Sequence, residues 1–122
     1  MATDWERALK RKQMDAHSLL GVWTGIAHNS NGWDMKITLS VLQPAEIGSI
    51  LGIFDIPLIP CSGSFRVVNI RGETLDLRAE KTQGDCGNAD SDTLELLPDG
   101  TLLYVSQGKG WETRGILQRA GI

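Results

Sequence analysis

Residues 33–42 read WDMKITLSVL, and their alternation decides the fold. Trp33, Met35, Ile37, Leu39 and Val41 fall on one parity, and Asp34, Lys36, Thr38 and Ser40 on the other. Successive side chains of a β-strand point to opposite faces, so this run is a strand covered on one side and wet on the other. A parallel sheet covered on both faces is excluded here, because its strands are apolar throughout.

Outward from this run the same grammar repeats. Upstream lies Val22 to His28, joined to it through Asn29-Ser30-Asn31-Gly32. Downstream come Gly48 to Ile56, Ser64 to Ile70, Thr74 to Lys81, Thr93 to Leu97, Thr101 to Ser106 and Trp111 to Arg119. Gln43-Pro44-Ala45-Glu46, Arg71-Gly72, Pro98-Asp99-Gly100 and Gly108-Lys109-Gly110 supply the breaks and turns between them. The pattern predicts an all-β domain over 21–122, an eight-stranded antiparallel up-and-down barrel, because closure removes the exposed sheet edges. An interior of that size is either filled by side chains or holds one small ligand, and the strands leave both open.

Ahead of the strands, residues 1–20 predict one amino-terminal helix. Thr3 with Glu6 three places on forms a capping box, and Trp5, Leu9, Ala16, Leu19 and Leu20 lie on or near one face. Such a helix plugs or flanks a barrel end, or mediates association. The basic run Arg7, Lys10, Arg11 and Lys12 is offset by Asp4, Glu6 and Asp15, which favours a solvated face over an anion site.

With 122 residues, 41% of them hydrophobic, the chain is long enough for one domain with a modest core. A formal net charge of −3 argues against nucleic acid or an anionic membrane as principal partner, since both need clustered positive charge. Charges from Asp4 to Lys12 interrupt any signal-peptide or membrane-spanning stretch at the start. The expected location is cytoplasmic, or extracytoplasmic where the chain is cut from a longer protein.

No pattern of residues points to catalysis, and no cofactor is expected. Ser62 stands between Cys61 and Gly63 without a G-x-S-x-G elbow, and only His28 is a remote candidate base. Asp85, Asp90 and Asp92 read as a polar loop whose carboxylates are solvated or bonded within turns. His17 and His28 share no short pairing with either cysteine, so no metal site is expected.

Binding is the better supported expectation. Trp23, Trp33, Phe65, Tyr104 and Trp111, with Phe54, come from separate strands and can converge at one barrel mouth around a small apolar or amphipathic ligand. Core packing is the competing role for these rings. The apolar loop Ile56-Pro57-Leu58-Ile59-Pro60 either caps the mouth or forms a contact surface through Ile56, Leu58 and Ile59. The alternative is thus a protein-interaction module with a filled barrel, using this loop and the helix for partner docking or for a homo-oligomer.

The two cysteines lie where an antiparallel pairing of Ser64–Ile70 with Thr74–Lys81 returns Cys86 toward Cys61. A disulfide there would stabilise by roughly 3 kcal/mol in chain-entropy terms. Inert reduced thiols and redox or metal chemistry are the other readings of the pair.

Gly21-Val22-Trp23 on the first strand, with Arg119 on the last, resembles the G-x-W and terminal-arginine pair of the calycin superfamily, which includes lipocalins, fatty-acid-binding proteins and avidins. The resemblance implies that Arg119 packs across Trp23 and closes one barrel end. Biotin-binding residues of avidins do not carry over, since Gly25 follows Trp23-Thr24 where an avidin has Asn. Residues 21–119 also resemble a barrel module appended to bacterial signalling proteins, among them serine/threonine kinases and caspase-like or NTPase-containing proteins. The matching positions are Trp23-Thr24-Gly25, Gly48, Gly52, Pro57, Cys61-Ser62-Gly63, Glu80, Gly84, Cys86, Leu94, Asp99-Gly100-Thr101-Leu102, Gly115, Leu117 and Arg119; Ile56 departs from the usual Tyr. This second resemblance implies an accessory sensing or interaction module.

Overall fold

The computed structural model describes residues 19–120. The expected helix over 3–18 lies outside the described residues. Eight strands follow in order: β1 Gly21–Asn29, β2 Asp34–Val41, β3 Ile50–Ile56, β4 Cys61–Arg71, β5 Thr74–Gly84, β6 Ala89–Leu96, β7 Leu102–Gly108 and β8 Trp111–Arg119. Each pairs antiparallel with its neighbour in sequence, and β8 returns to β1 to close the barrel. The expected antiparallel up-and-down barrel is thus the observed one.

Several strands are longer than their apolar alternation. β4 starts at Cys61 and β5 runs on to Gly84, paired through Cys61↔Gly84 and Ser62↔Gln83. β6 begins at Ala89, so Asp90 and Asp92 belong to a strand and not to a polar loop. Pairing with the neighbouring strand holds these polar segments, and irregularities between Ser62 and Ser64 and between Ala89 and Ser91 absorb the mismatch.

The barrel has two unlike ends. At the end that holds Gly21 and Arg119 the interior is filled: Leu51, Leu75, Leu94, Leu102 and Leu117 are fully buried, as are Trp23, Leu39 and Val67. Each buried leucine contributes about 1.5–3 kcal/mol, so this layer dominates over exposed ion pairs such as Arg71–Asp76. Arg119 closes that end, with its Cζ 4.4 Å from the Trp23 ring centroid, and Nη1 donates to the Leu20 carbonyl at 2.7 Å. Gly21 makes this possible at φ +123°, since a Cβ there would press on Arg119 Nη1 at 3.3 Å. The Trp23 indole N–H donates to the Leu19 carbonyl at 2.9 Å, which satisfies a buried donor.

The opposite end carries the β1–β2, β3–β4, β5–β6 and β7–β8 connections. Two seams are short there: β2 and β3 pair only from Thr38 to Val41 against Asp55 to Gly52, and β5 and β6 only from Thr74 to Leu77 against Glu95 to Asp92. Beyond Asp92 the two strands separate.

Candidate functional site

A cavity of about 490 Å³ occupies this second end. Alternation along each strand decides what faces it. On β2 to β5 the inward positions are Met35, Phe54, Ile56, Cys61, Phe65 and Ala79, which give one apolar wall. On β6, β7, β8 and β1 the lining includes Asp92, Ser106, Thr113 and Asn29, a polar strip flanked by Ala89, Tyr104 and Trp111. The register sets these four side by side, through Asp92↔Ser106, Ser106↔Thr113 and Asn29↔Thr113. The cavity is therefore two-faced, with an apolar wall on one half of the barrel circumference and a polar strip set among aromatic rings on the other.

The aromatic side chains frame it. Phe54 and Phe65 stack with centroids 4.4 Å apart, and Phe65 meets Tyr104 at 6.3 Å with the rings tilted. Offset and tilted contacts of this kind are favourable ring geometries. Trp33 precedes β2 and is 56% exposed, so it stands at the rim and not on the covered face. Trp111 opens β8, half-buried, and leans over the backbone of Gly108 so closely that a Cβ on Gly108 would fall inside the indole.

Of the five aromatic residues expected at the mouth, Trp33, Phe65, Tyr104 and Trp111 line the cavity. Trp23 does not. It is 1% exposed at the filled end beneath Arg119, because G-x-W places it near the start of β1 whereas the cavity is built from the end of that strand.

The apolar loop is likewise divided. Ile56 is buried, being the last inward residue of β3 and opposite Cys61, and Ile59 is partly buried against the core. Both line the cavity, which removes them from the expected contact surface. Only Leu58 of the three is exposed.

Cys61 and Cys86 form a disulfide with Cα atoms 4.9 Å apart. It fastens the loop after β5 to the β3–β4 corner, and Asp85 N–H donates to the Pro60 carbonyl at 2.7 Å beside it. The bridge is thus part of the cavity wall. His28 lies outside this site, exposed, with Nδ1 2.6 Å from Asp34 Oδ1.

Asp92, expected in a polar loop, instead faces the cavity beside Ser106 and Thr113, which the sequence pattern does not single out. Asp92 as a residue is 6% exposed, and Tyr104 Oη donates to its Oδ1 at 3.5 Å. Burial pushes its carboxyl above the ordinary aspartate range, against the opposing pull of the Ser106 and Tyr104 hydroxyls. Burial and the neighbouring Asp92 charge likewise raise the Tyr104 hydroxyl. The polar wall is anchored beyond Asp92 by Asn29 Nδ2, which donates to Thr113 Oγ1 at 2.8 Å. A signal for this wall existed in the sequence: Asp92, Ser106 and Thr113 share parity with the buried Leu94, Tyr104 and Leu117.

No protein family profile matches the chain, and no curated protein or solved structure shows significant similarity to it.

Proposed function

We propose that the chain is a non-catalytic binding module that takes a small amphipathic molecule into the open end of a calycin-like barrel. The observation that carries this reading is the two-faced cavity of about 490 Å³, within the 300–1,000 Å³ typical of small-molecule sites. Its apolar half offers area for the body of a ligand, and its polar half offers few, fixed hydrogen-bonding groups for orientation. The Trp23–Arg119 closure supports the calycin-like assignment. The likeness of residues 21–119 to barrels appended to bacterial signalling proteins favours a sensing role over storage.

Native mass spectrometry of the freshly purified protein tests this directly. A discrete extra mass on the monomer, removed by denaturation, is the expected result. An empty monomer that also leaves the emission of an amphipathic dye unchanged would overturn it.

A second reading has its own observation. Val22 and Ile26 on β1 and Ile116 on β8 are exposed on the outer wall, with Ile26 and Ile116 on adjacent strands. Such a strip favours self-association. Melting that depends on protein concentration, with no bound mass, would support that reading.

A further inference from the structure

The charge of the cavity lining restricts what it can hold. Among its residues are two carboxylates, Asp92 inside and Asp85 at the exposed rim, and no lysine, arginine or histidine. Asp92 makes no ion pair among the described residues, and its only side-chain companions are the neutral hydroxyls of Tyr104 and Ser106. A carboxylate accepts about four hydrogen bonds, so two hydroxyls leave capacity toward the cavity. A buried ionised group without a counter-charge is costly, and an arriving cation relieves that cost.

The rings beside it have the same preference. Tyr104 reaches Asp92 through its hydroxyl and Phe65 meets the Tyr104 ring, so aromatic rings stand near the carboxylate, and an aromatic face attracts a cation through its quadrupole. A carboxylate ligand meets the opposite situation: there is no basic side chain to pair with it, and the nearest buried charge repels it. A neutral ligand fits the apolar wall but leaves Asp92 uncompensated.

We propose that the molecule held in this cavity is a small organic cation, a protonated amine on an aromatic or apolar body, with its ammonium group paired to Asp92. This deepens the binding reading above and rests on it. The body lies against Phe54, Phe65 and Met35, and the ammonium group against the polar wall. Fatty-acid-type anions are the class this site rejects.

Three probes of one shape and different charge separate the possibilities: tryptamine, the neutral alcohol tryptophol, and indole-3-acetate, each titrated calorimetrically into the intact protein at neutral pH. The expected order is tryptamine about tenfold or more tighter than tryptophol, with indole-3-acetate weakest, as for a charge-assisted contact in a buried site. Asp92→Asn is expected to bring tryptamine down to the tryptophol level while tryptophol binding persists. Equal binding of the three probes, or preference for the carboxylate, would overturn the cation proposal and leave the binding reading standing. Failure of all three to bind would overturn both. The charge series on the unaltered protein decides the matter even where the Asp92 variant folds poorly.

Discussion

Arg119 lies over Trp23 at 4.4 Å from the ring centroid, and the two residues belong to strands that meet only because the barrel closes, β1 and β8. The guanidinium both covers an indole face and caps the Leu20 carbonyl, so its removal exposes the one and orphans the other. Arg119→Ala should cost about 2 kcal/mol, from a partly desolvated cation–π contact and a charge-assisted hydrogen bond. Arg119→Lys should recover only part of this, since an ammonium cannot lie flat on the ring while keeping the same bond. Urea unfolding followed by circular dichroism measures both. A loss below about 0.5 kcal/mol would mean the arginine decorates the end of the barrel without closing it.

The Cys61–Cys86 bridge joins the first residue of β4 to the loop after β5 across a sequence separation of 25. Closing a loop of that size lowers the entropy of the unfolded chain, worth about 3 kcal/mol. The double variant Cys61→Ala, Cys86→Ala should lose that amount, and chemical reduction of the unaltered protein should lower its melting temperature by a similar interval. Because the bridge also forms cavity wall, the variant should lose affinity for any bound molecule as well. A variant that melts lower but binds as before would assign the disulfide to stability alone.

The barrel was legible because β2 alternates without exception and the turn residues fall between such runs. The closure pair was legible too, since G-x-W and a terminal arginine are local signals whose meeting follows from closure. The polar wall is not legible in the same way, for a definite reason. Asp92, Ser106 and Thr113 are polar residues on inward parity, and an alternation rule that equates polar with outward assigns them to loop or solvent. Their strand pairing settles the matter, and pairing is a property of two segments, not of one. The end at which Trp23 sits is hidden for the converse reason: alternation gives the face a residue points to, but not which end of the barrel it occupies.

Trp111 rests on Gly108, its partner across the β7–β8 hairpin, and also approaches Gly87, where a Cβ would meet the ring at 3.6 Å. Gly108→Ala has no room for its methyl unless the indole moves, so the rim of the cavity changes shape. Overpacking of this kind costs about 1–3 kcal/mol. The variant should show a red-shifted tryptophan emission and weaker retention of a bound molecule. Adding Trp111→Phe should restore part of the stability, a non-additive coupling that a double-mutant cycle detects. Additive effects would show that the ring and the glycine are not in contact.

Asp92 offers the clearest electrostatic prediction, because its carboxyl is buried without a cation. Its folded-state affinity for a proton is raised above that of the unfolded chain, near 3.9 for an unperturbed aspartate. The native state therefore binds more proton than the unfolded state between those two values, and stability falls as pH rises through them. The penalty is complete above the raised folded-state value. Asp92→Asn keeps an acceptor for Tyr104 and removes the charge, so it should stabilise the empty protein at pH 7 and raise its Tm by a few degrees. The advantage should shrink as pH falls and vanish below about pH 4, where the aspartate is protonated in both states. Other carboxylates titrate in the same range, but the difference between the two proteins at each pH isolates this one. Thermal melts of both from acid to neutral pH give the answer. An asparagine variant less stable at neutral pH would mean that the carboxylate is already compensated in the folded protein, and the argument for a cationic ligand would lose its main physical support.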